Sequence, residues 1–302
     1  MAIGSTGMAL IGIGALLVVL NTIFVGLRLY TRVAIARTFK PNDGLLLTAW
    51  AAFVALYGLA IMGVLGGIGG SLADAFSNGT SGITQALKAL FFLEIIYVVL
   101  TSAMKGSIAM TFIHLSRSKV LNALFWTSIG MDVAISLAFI IYLLVQCKPI
   151  DKAWNLLDPS VKGDCLPLVG QLYMGYALSI VTAILDILLM VSPFIMMRGR
   201  GLNSRLKMYI YGIFGLGILA FSATIANVIR LIALIKLKGS NDQLLDAAPV
   251  FTWSAIEVSI GIIIAGLIEL GPLAAKYGVK GFESIAPSKP ISEDYEMSTG
   301  KL

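Results

Sequence analysis

Six ionisable side chains stand inside stretches that are otherwise almost wholly apolar: Glu94, Lys105, Asp132, Asp186, Arg230 and Glu257. A charge in hydrocarbon is expensive unless it is paired or wetted, so such residues mark function by default. A carboxylate held beside a lysine in low dielectric is a ready acid or base, because burial and a neighbouring charge both act on its proton affinity. Counting ~1.5 Å of helical rise per residue from the outer span ends puts Glu94, Arg230 and Glu257 roughly 7–11 Å deep. The same count puts Lys105, Asp132 and Asp186 roughly 20–24 Å deep. Each layer thus holds one cation and two acids, the arithmetic of a paired network facing the bundle interior.

Helical phase agrees in part. Glu94 and Lys105 are eleven residues apart, close to three turns, and share a face. Trp253 and Glu257 form an i,i+4 pair, and Asn227 and Arg230 an i,i+3 pair. The candidate catalytic residues are therefore Asp186, Asp132 and Lys105. The candidate ligand contacts are Glu94, Arg230, Trp253 and Glu257, in the layer reachable from outside. The structural alternative stays open: buried ion pairs can fix helix register and bind nothing.

The elements that must carry these residues are membrane spans. The chain has 302 residues, of which 58% are hydrophobic and 13% charged, with a mean hydropathy of +0.92. A soluble domain cannot cover its surface with so few charges. Apolar windows long enough to cross a bilayer recur at 8–29, 44–67, 89–115, 121–145, 170–197, 208–237 and 251–273. The fold class expected is all-α, a polytopic bundle of about seven transmembrane helices. Residues 1–280 form that membrane domain, and 281–302, rich in Pro, Ser and acids, a short disordered cytoplasmic tail without a CaaX box or retention signal. Residues 1–7 are uncharged and precede a span longer than a signal-peptide core, so the first span reads as a retained anchor.

Lys and Arg gather in alternate loops: Arg28, Arg32, Arg37 and Lys40, then Arg117 and Lys119, then Arg198, Arg200, Arg205 and Lys207. By the positive-inside rule these loops are cytoplasmic, which places the N-terminus outside and the C-terminus inside. Cys147 and Cys165 then share one outer loop, where an oxidising lumen would join them; two free thiols are the alternative. Asn78-Gly79-Thr80 is a glycosylation sequon in another outer loop. The net charge of +6 is explained by the cytoplasmic loops rather than by a nucleic-acid partner. The partners expected are membrane lipid and a lipophilic small molecule; protein partners are unknown.

Other chemistries are not written in the chain. His114 is the sole histidine, so no metal site is legible. The last span has no lysine for a retinal Schiff base, no Walker or dinucleotide fingerprint occurs, and no cofactor is expected. The glycine-rich runs inside apolar segments read as close helix packing. Pro193 and Pro272, late in their spans, read as kinks or ends, and Glu269 as an interfacial, solvated acid.

Several stretches together carry a likeness. They are LRLYTR (27–32) followed by Asn42-Asp43, Lys105-Gly106-Ser107, VQCKPIDKAW (145–154) with GDC (163–165), Asp186 with Pro193, Arg230, and Trp253-x3-Glu257 before Gly261 and Pro272. In these the sequence resembles the fungal rhodopsin-domain family of seven-helix integral membrane proteins, of the satratoxin-cluster membrane protein type. The family's paired acid before the second helix is Asn42-Asp43 here. The resemblance implies a place beside secondary-metabolite genes, and no retinal. The function expected is binding of a lipophilic pathway intermediate, with acid–base cyclisation or isomerisation as the chemistry it could undergo. A receptor for a small ligand is the second reading and a transporter the third.

Overall fold

The computed structural model describes residues 4–70, 80–116, 118–156, 158, 160–197 and 243–277. Six helices among them are long and apolar enough to cross a membrane. These are α1 (Ser5–Tyr30), α2 (Pro41–Gly66), α3 (Thr80–Leu115), α4 (Lys119–Val145), α5 (Leu168–Met197) and α6 (Gln243–Ile268), followed by a one-turn α7 (Gly271–Lys276). The expected span 208–237, with Asn227 and Arg230, lies outside the described residues, as do Asn78 and the tail.

In hydrocarbon every backbone N–H and C=O must be satisfied within its own segment, which makes helix the only open choice for these apolar runs. Each outer helix turns an aliphatic stripe outward, as Leu16, Val19, Ile23 and Leu27 do on α1 and Val133, Leu137, Ile141 and Leu144 on α4. The most apolar windows of α3 and α6 are 50% and 56% buried, against 22–28% for the other four. The centre of the bundle is therefore α3 and α6.

Helices α1 to α5 alternate in direction and α6 runs the same way as α5, from the Cys147–Cys165 end inward, so the bundle has two ends. At one, α2 closes in a left-handed Gly67 (φ 119°), with Gly67 N–H on the Val64 carbonyl and Ile68 N–H on the Gly63 carbonyl. This is a Schellman turn, and Ile68 folds back over Gly63, where a Cβ would meet its Cδ1 at 2.5 Å. One turn on, a Cβ at Gly66 would stand 2.7 Å from the Ala86 amide nitrogen, so α2 and α3 touch backbone to backbone. The same end carries a two-stranded hairpin, β1 (Cys147–Lys148) and β2 (Asp164–Cys165), in which Cys147 pairs with Cys165. The two cysteines form a disulfide.

Several expectations are corrected here. Helix α3 starts at Thr80, not Ala89, because Thr80–Lys88 is helical without being apolar and a hydropathy window sees only the crossing part. Helix α6 starts at Gln243 and stops at Ile268, and Pro272 sits in the first turn of α7 rather than ending a span. Pro193 lies inside α5, which continues to Met197. Arg28 and Arg32 are not free loop charges, and Glu269 is not simply solvated: all three are held in ion pairs at the end opposite the hairpin.

Candidate functional site

Among the described residues, three polar layers cross the bundle. The outermost belongs to a cavity of about 460 Å³ beneath the hairpin. Its walls come from α3 (Phe91, Glu94, Tyr97), α4 (Phe139), α5 (Gln171, Gly175, Leu178) and α6 (Val250, Phe251, Ser254), and the disulfide is part of its rim. The wall is mainly apolar. Its polar focus is Glu94, whose Oε2 accepts a hydrogen bond from Gln171 Nε2 at 2.7 Å.

The rim is built by the loop. Trp154 packs edge-on against Phe91 of α3 with ring centroids 5.4 Å apart, and Lys88 Nζ lies 5.6 Å from its ring. Gly163 passes so close to the Lys148 carbonyl that no Cβ fits. Lys152 Nζ donates to the Val161 carbonyl at 2.8 Å. Asp158 accepts from the Ser160 hydroxyl at 2.6 Å and the Ser160 amide at 2.8 Å, which holds its carboxyl below the usual carboxylate range.

The middle layer is a cluster of charges and hydroxyls. Lys105 Nζ lies 2.8 Å from Asp186 Oδ1 and donates to the Thr182 carbonyl at 3.0 Å. Asp132, 4% exposed, lies beside Ser102, and Ser102 bonds Ser136 at 2.8 Å. Asp132 Oδ1 has no hydrogen-bond partner among the described residues. Each helix contributes a pair one turn apart: Ser102 with Lys105, Asp132 with Ser136, Thr182 with Asp186. Helix α6 comes close here through Gly261, where a Cβ would meet Met104 Sδ at 2.5 Å.

The innermost layer gathers four helices. Arg28 of α1, 2% exposed, reaches Asp43 of α2 with Nη2 at 2.7 Å and Nε at 2.8 Å. Its Nη1 donates to the Ala265 carbonyl of α6. Arg32 bridges Asp43 Oδ2, at 3.6 Å, and Glu269, which it contacts directly. Asn42 Nδ2 donates to Thr111 Oγ1 at 2.9 Å and to Glu269 Oε1 at 3.3 Å, while Ser107 Oγ donates to the Asn42 carbonyl at 2.8 Å. The Lys40 amide caps onto Asp43 Oδ2 at 3.0 Å, so one carboxylate starts α2 and holds both arginines.

Residues 27–276, from the layer of arginines to α7, match the fungal rhodopsin domain. The chain belongs to that family. A protein similar to it is the "Polyenoic acids biosynthesis gene cluster protein Ba17b" of Metarhizium anisopliae, 24% identical over 267 residues, covering 86% of this chain and 72% of the relative. No solved structure matches. With its six described spans, this fungal rhodopsin domain protein is a multi-pass membrane protein.

Within the fungal rhodopsin domain, the structure brings Lys105 and Asp186 into contact and sets Asp132 beside them. Among the described residues none of the three lines the cavity. Glu94 lines it. Glu257, 2% exposed, sits behind the wall and accepts a hydrogen bond from Tyr97 at 3.4 Å; Trp253, half-buried, is likewise off the wall. Glu94 and Glu257 therefore occupy the same end of the bundle without sharing its surface, and Arg230 lies outside the described residues. Sequence reasoning missed Gln171, the partner of Glu94, because an amide one turn into an apolar span carries no charge to flag it. It also missed the innermost layer as a layer, since charges at span ends look like loop charges.

Proposed function

We propose that this protein holds a lipophilic small molecule, an intermediate of a secondary-metabolite pathway, in the cavity beneath the disulfide hairpin. The observation that carries this is the cavity itself: about 460 Å³, within the range of small-molecule clefts, with mainly apolar walls and one carboxylate–amide pair. The likeness to a polyenoic acids biosynthesis gene cluster protein supports the pathway and the apolar character of the ligand. If the ligand is transformed, Glu94 is the acid or base in reach of it. Asp186, Asp132 and Lys105 act a turn or more deeper, on a ligand that penetrates past Tyr97 or through the helices they tie together. The bundle has seven spans, the hairpin end faces outside or the lumen, and the layer of arginines lies at the cytoplasmic end.

A receptor is the second reading, favoured by one observation. Helices α3 and α6 both run from the cavity wall to the innermost layer, where Ala265, Glu269 and Thr111 meet Arg28, Arg32 and Asn42. A ligand that shifts either helix would be felt at the far end.

Metabolite profiling of a strain lacking the gene, complemented with wild type, Glu94→Gln or Asp186→Asn, tests the assignment. One accumulating intermediate, bound or converted by wild-type membranes, supports it. An unchanged profile sinks the pathway role and leaves the receptor.

A further inference from the structure

We infer that the molecule held in this cavity presents a hydrogen-bond donor, a hydroxyl or an amine, at the Glu94–Gln171 pair, and that the site rejects a free carboxylate. The inference deepens the binding reading above and rests on it. Glu94 is the one carboxyl group in the cavity wall among the described residues. The two oxygens of a carboxyl group carry up to about four acceptor positions. One of these is taken by Gln171 Nε2 at 2.7 Å, and the rest are open to the cavity that Glu94 lines.

The same bond fixes what Gln171 offers. Its amide must turn N–H toward the carboxylate, so the other face of the group is a carbonyl oxygen, a second acceptor. Two acceptors side by side on α3 and α5 match a ligand group with donors to spare. They mismatch a carboxylate, which has no donor to give them and would set its own acceptor oxygens against theirs inside walls of Phe91, Leu178, Val250 and Phe251. Selectivity follows from the asymmetry of hydrogen bonding: a ligand without a donor leaves these acceptors unpaired at about 1–3 kcal/mol each, while an apolar chain of fixed length contributes equally whatever its head group. The consequence for the reaction order is chemical: the step that supplies this ligand has already reduced, esterified or amidated any terminal acid, or never made one.

The test uses the full chain in lipid nanodiscs and three probes of one chain length: dodecanol, dodecylamine and dodecanoate. Thermal stability and Trp154 fluorescence report binding, and the fluorescence of a Trp154→Phe variant gives the background. Wild type is expected to bind the alcohol and the amine at least about tenfold more tightly than the acid, the ratio set by one charge-assisted hydrogen bond. Glu94→Gln should bring the amine and the acid to within about threefold of each other. Should Glu94→Gln fail to fold, Gln171→Leu keeps the carboxylate and should keep the rejection of dodecanoate. Equal binding of all three probes by wild type, or a preference for dodecanoate, overturns the inference and leaves the binding reading standing. Binding of none of them removes both.

Discussion

Arg28 and Asp43 meet with two guanidinium nitrogens on a single carboxylate oxygen, at 2.7 and 2.8 Å, both side chains 2% exposed. Fifteen residues separate them, and the pair ties the end of α1 to the first turn of α2. Removing one partner of such a pair leaves a buried charge and costs about 3–5 kcal/mol, whereas replacing both with apolar groups is often neutral. Asp43→Asn is therefore expected to lower the melting temperature of the detergent-solubilised protein sharply, and Arg28→Met with Asp43→Leu to recover part of it, the Arg32 contact and the Lys40 amide cap staying lost. Equal damage from single and double variants would show that the Arg32 contact and the α2 cap, rather than the Arg28 charge, carry the stability.

Lys105 and Asp186 obey the same logic deeper in the bundle. Asp186→Asn strips Lys105 of its ion pair and leaves it the Thr182 carbonyl and the nearby Asp132, so the folded amount should fall. Lys105→Met with Asp186→Leu should restore it. If function returns with the fold, the cluster is interhelical structure; if the double variant folds and is inactive, the charges themselves are used. Size-exclusion yield and the metabolite readout separate the two.

The first of these pairs was hidden in the sequence and the second was legible, for a physical reason. Lys105 and Asp186 stand in the middle of apolar runs, where any charge is conspicuous. Arg28, Arg32 and Glu269 stand at span ends, where solvent, headgroups and buried partners all account for a charge equally well. Only the packing of α1, α2 and α6 decides among them. The hairpin was legible from two cysteines in one loop, but the role of Trp154 was not, because its partners Phe91 and Phe92 lie on another helix. The extra turns of α3 before Ala89 left no hydropathy signal at all.

The disulfide closes a loop of eighteen residues in sequence separation, worth about 3 kcal/mol on chain-entropy grounds. Cys147→Ser should lower stability by about that amount and weaken ligand binding, since both cysteines border the cavity. Alkylation without reductant is expected to label neither position; labelling of both in folded protein would refute the bond.

Glycine substitutions discriminate tight from loose helix contacts. Gly66→Ala places a methyl 2.7 Å from the Ala86 nitrogen and 2.9 Å from the Gly82 carbonyl, backbone atoms that cannot step aside. It should destabilise by about 1–3 kcal/mol. Gly58→Ala, in the same helix with nothing within 4 Å, should be neutral or gain up to about 1 kcal/mol. Thermal melts of the two variants side by side check the α2–α3 interface directly.

Orientation has its own test. If the hairpin end faces the lumen, glycosidase treatment should shift wild type on a gel and leave Asn78→Gln unmoved. No shift in either withdraws one support for that orientation.

The position of α3 also bears on how the protein is made. This helix carries Glu94 and Lys105 in its membrane-crossing part, and a lysine at the centre of a span opposes release into lipid by about 2.5–3.5 kcal/mol. Its counter-charge, Asp186, is on α5 and leaves the ribosome some eighty residues later. On α4, between them, Asp132 has the same difficulty. These three segments are therefore poor candidates for one-by-one entry into the bilayer. They are better delivered together, the emerging α3 being retained at the insertion machinery until α5 arrives.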